Sequence, residues 1–198
     1  MAFPDRLKLP LAFDAERLQR DLAALAAAPW TAHFVPQNYE GDWSVIPLRA
    51  PKGTAGQHPI RMVYSDPAAT AFEDTPFIAP CPYFREVAFA FGPEPRATRL
   101  MRLAPGSAIK EHADGDLAAE TGMARIHVPI TTNADVVFEV NRRRVDMAPG
   151  EAWYLRLADP HRVANRGATD RIHLVIDLPV DAALDQLLRQ AMAESAAG

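Results

Sequence analysis

Residues 125–130 read RIHVPI and residues 171–176 read RIHLVI, the same Arg-Ile-His opening in two apolar runs of strand length. Successive side chains of a β-strand point to opposite faces. Arg125 and His127 therefore share a face against Ile126 and Val128, and Arg171 and His173 share a face against Ile172 and Leu174. Two arrangements satisfy the pattern. In one, the basic groups face water, because unpaired buried charge is costly. In the other, helices cover the isoleucine face and the arginines point into a cavity that takes a dianion, since the planar guanidinium fork grips carboxylates through two parallel charge-assisted bonds.

The surroundings of the two runs share their texture. From Thr98 onward, TRLMRLA, DVVFEV, RRVDMA and EAWYLRL are also of strand length, with VNRRR, APGE and ANRGATD supplying turn chemistry between strands. This pattern predicts an antiparallel sandwich or barrel over residues 98–179. Upstream, DAERLQRDLAALAAA spaces its leucines helically, opens on Asp14 as an N-cap and is stopped by Pro29. Residues 31–53 alternate short strand-like runs with Gly and Pro punctuation, residues 53–76 read as loop, and PYFREVAFAFG reads as a helix from Pro82 to Gly92 with Phe84, Val87 and Phe91 on one face. A last helix, 181–195, is expected outside the sheet. No linker or compositional break divides the chain. The expectation is one domain, 1–198, with a helical and strand cover over 1–97, a β core over 98–179 and the C-terminal helix.

The 198 residues are 48% apolar and 23% charged with a formal charge of -4, which gives no electrostatic footprint for nucleic acid. The opening MAFPDRLKLPLAF breaks its apolar residues with charges and prolines, so neither a signal peptide nor a membrane span is expected and the protein reads as cytoplasmic. The lone Cys81 excludes an internal disulfide and a thiolate zinc site. It reads as a core residue.

Residues 111–116, EHADGD, set His112 and Asp114 two positions apart, so that at a strand end both could grip one object. Two imidazoles and one carboxylate on one triangular face are the ligand set of non-haem iron(II) oxygenases, with the opposite positions left open. His161, in LADPHRVANRG, is the candidate second histidine. Glu111 and Asp116 read as solvent-facing neighbours.

Taken together, RLMRLAPGSAIKEHADGD, ARIHVPITTN and APGEAWYLRLADPHRVANRGATDRIHLVIDL, and more loosely YEGDWSVIPLRAPKG and CPYFREV, resemble the aspartyl/asparaginyl β-hydroxylases. These are iron(II)- and 2-oxoglutarate-dependent oxygenases, and the resemblance covers most of residues 39–178. It implies a mainly β fold with flanking helices around a double-stranded β-helix, the jelly-roll or cupin-like core. It also implies His112, Asp114 and His161 as ligands of Fe(II), Arg171 on the distal carboxylate of 2-oxoglutarate, and Arg125 and His127 as further cosubstrate contacts. Some family members lack the carboxylate ligand, but here Asp114 stands at the matching position. The implied activity consumes O2 and 2-oxoglutarate, releases succinate and CO2, and hydroxylates an unactivated C–H of an amino acid, an amino-acid derivative or a peptidyl residue.

No side-chain nucleophile is needed for that chemistry, and the chain offers neither a Gly-x-Ser-x-Gly elbow nor a phosphate loop. Partners are expected to be a small amino-acid-like molecule or a peptide, with no nucleic acid and no membrane. Trp43, Arg49 and Arg102 are candidates for lining the substrate pocket, with packing and surface charge as their ordinary alternatives; Trp153 and His173 read as structural. Two other functions share the pattern. One is a jelly-roll binding or sensing module for a small carboxylate, and the other is a cupin-type metalloenzyme that does not use 2-oxoglutarate.

Overall fold

The computed structural model describes residues 2–63 and 69–197. Thirteen strands are described: β1 (Arg6–Ala12), β2 (Thr31–Ala32), β3 (Tyr39–Glu40), β4 (Trp43–Pro51), β5 (Phe72–Asp74), β6 (Thr98–Leu103), β7 (Ala108–His112), β8 (Met123–Thr131), β9 (Val136–Val140), β10 (Arg143–Arg144), β11 (Glu151–Leu155), β12 (His161–Asn165) and β13 (Arg171–Pro179). The α-helices are α1 (Ala15–Ala24), α2 (Pro59–Val63), α3 (Pro82–Phe89) and α4 (Ala182–Ala197). One sheet runs β1-β11-β8-β13-β6-β4-β2, with β5 added beside β4, and a second runs β10-β9-β12-β7-β3. Strands from the first 97 residues belong to both sheets. All their recorded pairings are antiparallel. The fold is the double-stranded β-helix that the sequence leads one to expect.

Local chemistry accounts for the connections. Asp14 caps α1 by accepting from the backbone N–H groups of Glu16 and Arg17 at 2.9 and 3.0 Å. That helix ends at Ala24, short of Pro29, and α3 carries Pro82 at its first turn. Asn141 and Arg142 take φ of 50° and 58°, the left-handed pair that closes a two-residue hairpin between β9 and β10. In the APGE turn, a Cβ on Gly150 would lie 2.2 Å from the carbonyl oxygen of Phe13, so only glycine fits there. The stretch read as loop contains α2 and β5, and its residues 64–68 lie outside the described residues. The C-terminal helix continues to Ala197, past the expected end at 195. Among the described residues, no helix is long and apolar enough to cross a membrane.

The larger sheet has two different faces. On one, Leu100, Ile126, Val128, Leu174 and Ile176 pack with Leu18 of α1, Phe84 and Val87 of α3, and Leu184 and Leu188 of α4. This is the larger of the two buried apolar clusters among the described residues, and its removal from water stabilises the fold. The other face looks across to the second sheet, where Val45, Met101, Phe138, Val163 and Val175 form a smaller apolar cluster. Of the two arrangements open at the Arg-Ile-His runs, the fold adopts the inward one: their isoleucines lie under helices and their arginines point between the sheets.

Candidate metal centre and ligand cavity

His112 ends β7, His161 begins β12, and the two are register partners across that antiparallel pair. Non-local pairing thus brings together two histidines 49 positions apart (161 minus 112), with ring centroids separated by 4.2 Å. Asp114 lies beyond the end of β7, so strand alternation does not orient it. Its backbone N–H donates instead to the carbonyl of Leu157 at 2.8 Å. One ligand atom each from His112, Asp114 and His161 lie within 4.8 Å of one another.

The outer ring nitrogens are already engaged. His112 Nδ1 is 2.8 Å from the carbonyl oxygen of Lys110, and His161 Nδ1 is 3.0 Å from that of Asp159. A carbonyl can only accept, so Nδ1 carries the proton in both rings and each Nε2 keeps its lone pair for a metal. Burial, with the nearby His112 and Arg125, lowers the pKa of His161, although its backbone bond and Asp114 oppose this. A neutral imidazole is the form that coordinates. Two Nε2 lone pairs and one carboxylate at this spacing fit a divalent transition-metal ion.

Arg171 projects into the same space. It is 2% exposed, and among the described residues it meets no carboxylate. Burial draws its pKa down to about 9, which still leaves it charged at neutral pH. Its Nη2 donates to His173 Nδ1 at 2.9 Å, its guanidinium carbon lies over the Phe138 ring 5.5 Å from the centroid, and among the described residues its Nε has no partner. His173 Nδ1 also lies 3.4 Å from His127 Nδ1, and the buried His127 Nε2 is without a partner. Desolvation and the Arg171 charge push both histidines well below the ordinary imidazole pKa, which leaves Arg171 as the uncompensated charge of this cluster. A chamber of about 40 Å³ joins the cluster to the three candidate metal ligands.

Arg125 is held differently. Its Nε and Nη2 donate to the two oxygens of Asp177 at 2.6 and 3.0 Å, and its Nη1 donates to Asp114 Oδ2 at 2.9 Å. Arg99 Nη2 donates to Asp177 Oδ2 at 3.0 Å. Burial opposes the Arg125 charge, but Asp177 and Asp114 outweigh it and raise the pKa. The same arginines hold the Asp177 carboxyl below its usual range against its own desolvation. This ion network forms one wall of a cavity of about 540 Å³ that opens beside His112 and Asp114.

Trp43 lines both spaces, with His33 stacked on its face at 3.5 Å between centroids. Arg49 is instead bound to Asp74 and to the carbonyls of Pro95 and Phe72, and Arg102 to Ser44 and Asp42, so both hold the sheet together away from the cavity. Trp153 donates to Glu151 on β11, and Cys81 is a buried core residue. Sequence reasoning missed Arg99 and Asp177 and assigned His173 a packing role. The signal for Asp177 was present, since RIHLVID places residues 171, 173 and 177 on one face of one strand.

The family model described as Aspartyl/Asparaginyl beta-hydroxylase matches residues 13–180. An L-proline cis-4-hydroxylase of Rhizobium meliloti (strain 1021) is 28% identical over 179 residues, which cover 89% of this chain and 61% of that protein. An L-proline cis-3-hydroxylase of a Streptomyces species is 26% identical over 176 residues, covering 87% of this chain and 59% of its own. The chain therefore spans about three fifths of the length of these curated relatives. Among solved structures, an oxidoreductase of the 2OG-Fe(II) oxygenase family from Burkholderia pseudomallei superposes with a TM-score of 0.53 at 20% identity, covering 87% of this chain and 84% of that one. A Pseudomonas putida prolyl-4-hydroxylase superposes with a TM-score of 0.53 at 10% identity, covering 90% and 94%. At these identities the superpositions bear on the fold alone.

Proposed function

The chain belongs to the aspartyl/asparaginyl β-hydroxylase family, and on that premise we propose that it is an iron(II)- and 2-oxoglutarate-dependent dioxygenase hydroxylating an unactivated C–H of a small amino acid. The observation that carries this reading is the buried, unpaired guanidinium of Arg171 set beside the His112, Asp114 and His161 cluster. A buried charge without a counter-ion costs the fold several kcal/mol (roughly, by solvation arguments), so such a site is best explained by an anion that arrives later. A jelly-roll module that only sensed a carboxylate would have no use for the three ligands.

In this reading His112, Asp114 and His161 hold iron(II), which when bound supplies the activation of dioxygen. Arg171 takes the distal carboxylate of 2-oxoglutarate, with its guanidinium steadied by His173. Phe138, Leu157 and Trp43 keep the chamber free of bulk water, which strengthens that ion pair. The stoichiometry is one 2-oxoglutarate, one O2 and one C–H giving succinate, CO2 and C–OH, with one oxygen atom entering succinate and the other the product. The adjoining cavity of about 540 Å³ is the place for the substrate, and the chemistry of the curated relatives makes free L-proline the first molecule to try.

The test is anaerobic addition of iron(II) and 2-oxoglutarate, followed by air and a panel of amino acids. A weak visible charge-transfer band that is absent in His161→Ala, then succinate release and a mass gain of one oxygen, are the expected results. A full-strength band and turnover in His161→Ala would contradict the ligand assignment, and no succinate with any metal-loaded sample would contradict the activity.

A further inference from the structure

Asp177 is a buried carboxylate on the cavity wall for which the proposed reaction has no use. It sits directly opposite Arg125 in the β13–β8 register and occupies the Nε and Nη2 edge of that guanidinium with both its oxygens. The remaining corner, Nη1, reaches Asp114 Oδ2, while Asp114 Oδ1 is the oxygen nearest His112 Nε2, at 3.8 Å. Asp114 lies outside the strand ladder, so its side-chain rotamer is fixed by what it touches. A planar, rigid fork clamped on one carboxylate is a suitable object to aim a second one.

Charge leads to the same place. Arg99, Arg125, Asp177 and Asp114 form a group of two cations and two anions, and Arg99 and Arg125 repel each other across Asp177. Without that central carboxylate, Arg125 would lose both hydrogen bonds that fix its Nε and Nη2 edge.

We propose that Asp177 is a positioning residue for the metal centre: through Arg125 it holds Asp114 so that Oδ1 is the oxygen offered to the metal. This rests on reading His112, Asp114 and His161 as the metal site. A partner that orients a ligand typically changes metal affinity by about 10- to 100-fold when it is removed.

Cobalt(II) titration of the full chain, followed by its visible d–d bands, tests the proposal without turnover. Asp177→Asn is expected to raise the cobalt dissociation constant about 10- to 100-fold. Because Asp177→Asn removes a buried negative charge, Asp177→Asn combined with Arg99→Met removes a neighbouring positive charge as well and is expected to show the same loss if the single variant does not fold. Asp74→Asn, which breaks the Arg49–Asp74 pair away from the cavity, should lower the thermal midpoint and leave cobalt affinity unaltered. Cobalt affinity within about twofold of the unaltered protein in every folded Asp177 variant would overturn the positioning role alone. Absence of cobalt binding by the unaltered protein, or its full retention in His161→Ala, would overturn the metal-site reading and this proposal with it.

Discussion

Arg125 and Arg171 open the same Arg-Ile-His sequence on two neighbouring strands, and both point between the sheets, yet the fold treats their charges in opposite ways. Arg125 is matched by Asp177 and Asp114 on two corners of its fork. Arg171 is more deeply buried, and among the described residues its only polar partner is the neutral His173. A fold selected only for stability would pair both arginines or neither. The difference marks Arg171, among the described residues, as the part of the cavity where the chain supplies no counter-charge.

The largest effect that can break this contrast is on stability. Arg125→Met leaves Asp114 without its arginine and Asp177 with Arg99 as its remaining arginine, and is expected to cost about 3–5 kcal/mol in urea-induced unfolding. Arg171→Met removes an uncompensated buried charge and is expected to raise the stability of the ligand-free protein, by about 1–4 kcal/mol. If both substitutions destabilise equally, the two arginines do not differ as described.

A smaller effect sharpens the unpaired end. His173→Leu removes one hydrogen bond to a charged group, which should weaken 2-oxoglutarate binding about tenfold with little change in metal affinity. Equilibrium dialysis of the metal-loaded variant would detect this. The smallest effect lies at the paired end and depends on pH. The Asp177 pKa is lowered in the folded protein, so its contribution is fully present above the unfolded value of about 4 and is lost as pH falls through the folded pKa. Unfolding measured across that acid range should be flatter in Asp177→Asn than in the unaltered protein. An unchanged slope would remove Asp177 from the set of groups that stabilise by ionisation.

Strand periodicity made the sheet core legible, and the Arg-Ile-His repeat marked which positions share a face. Which face turned inward was not legible, because that depends on α1, α3 and α4 covering the isoleucines, a tertiary outcome. His112 and His161 were recognisable as a pair by residue type, but their meeting comes from the β7–β12 register, which no local pattern encodes. Asp114 was singled out for a reason that only partly applies, since it lies past the strand and accepts a hydrogen bond from Arg125. Arg99 and Asp177 went unseen because an arginine and an aspartate 78 positions apart (177 minus 99) look like ordinary surface charges until β6 and β13 are side by side. The shared face of residues 171, 173 and 177 was the clue available in advance.

The most direct measurement is an anaerobic titration of the iron(II)-loaded protein with 2-oxoglutarate, comparing unaltered protein with Arg171→Met. Truncating one side of a buried ion pair costs about 2 kcal/mol or more, so the dissociation constant should rise about 30-fold or more while iron remains bound. Equal affinity in the two proteins would contradict the assignment of Arg171 as the seat of the cosubstrate carboxylate, and with it the explanation of why this arginine is buried alone.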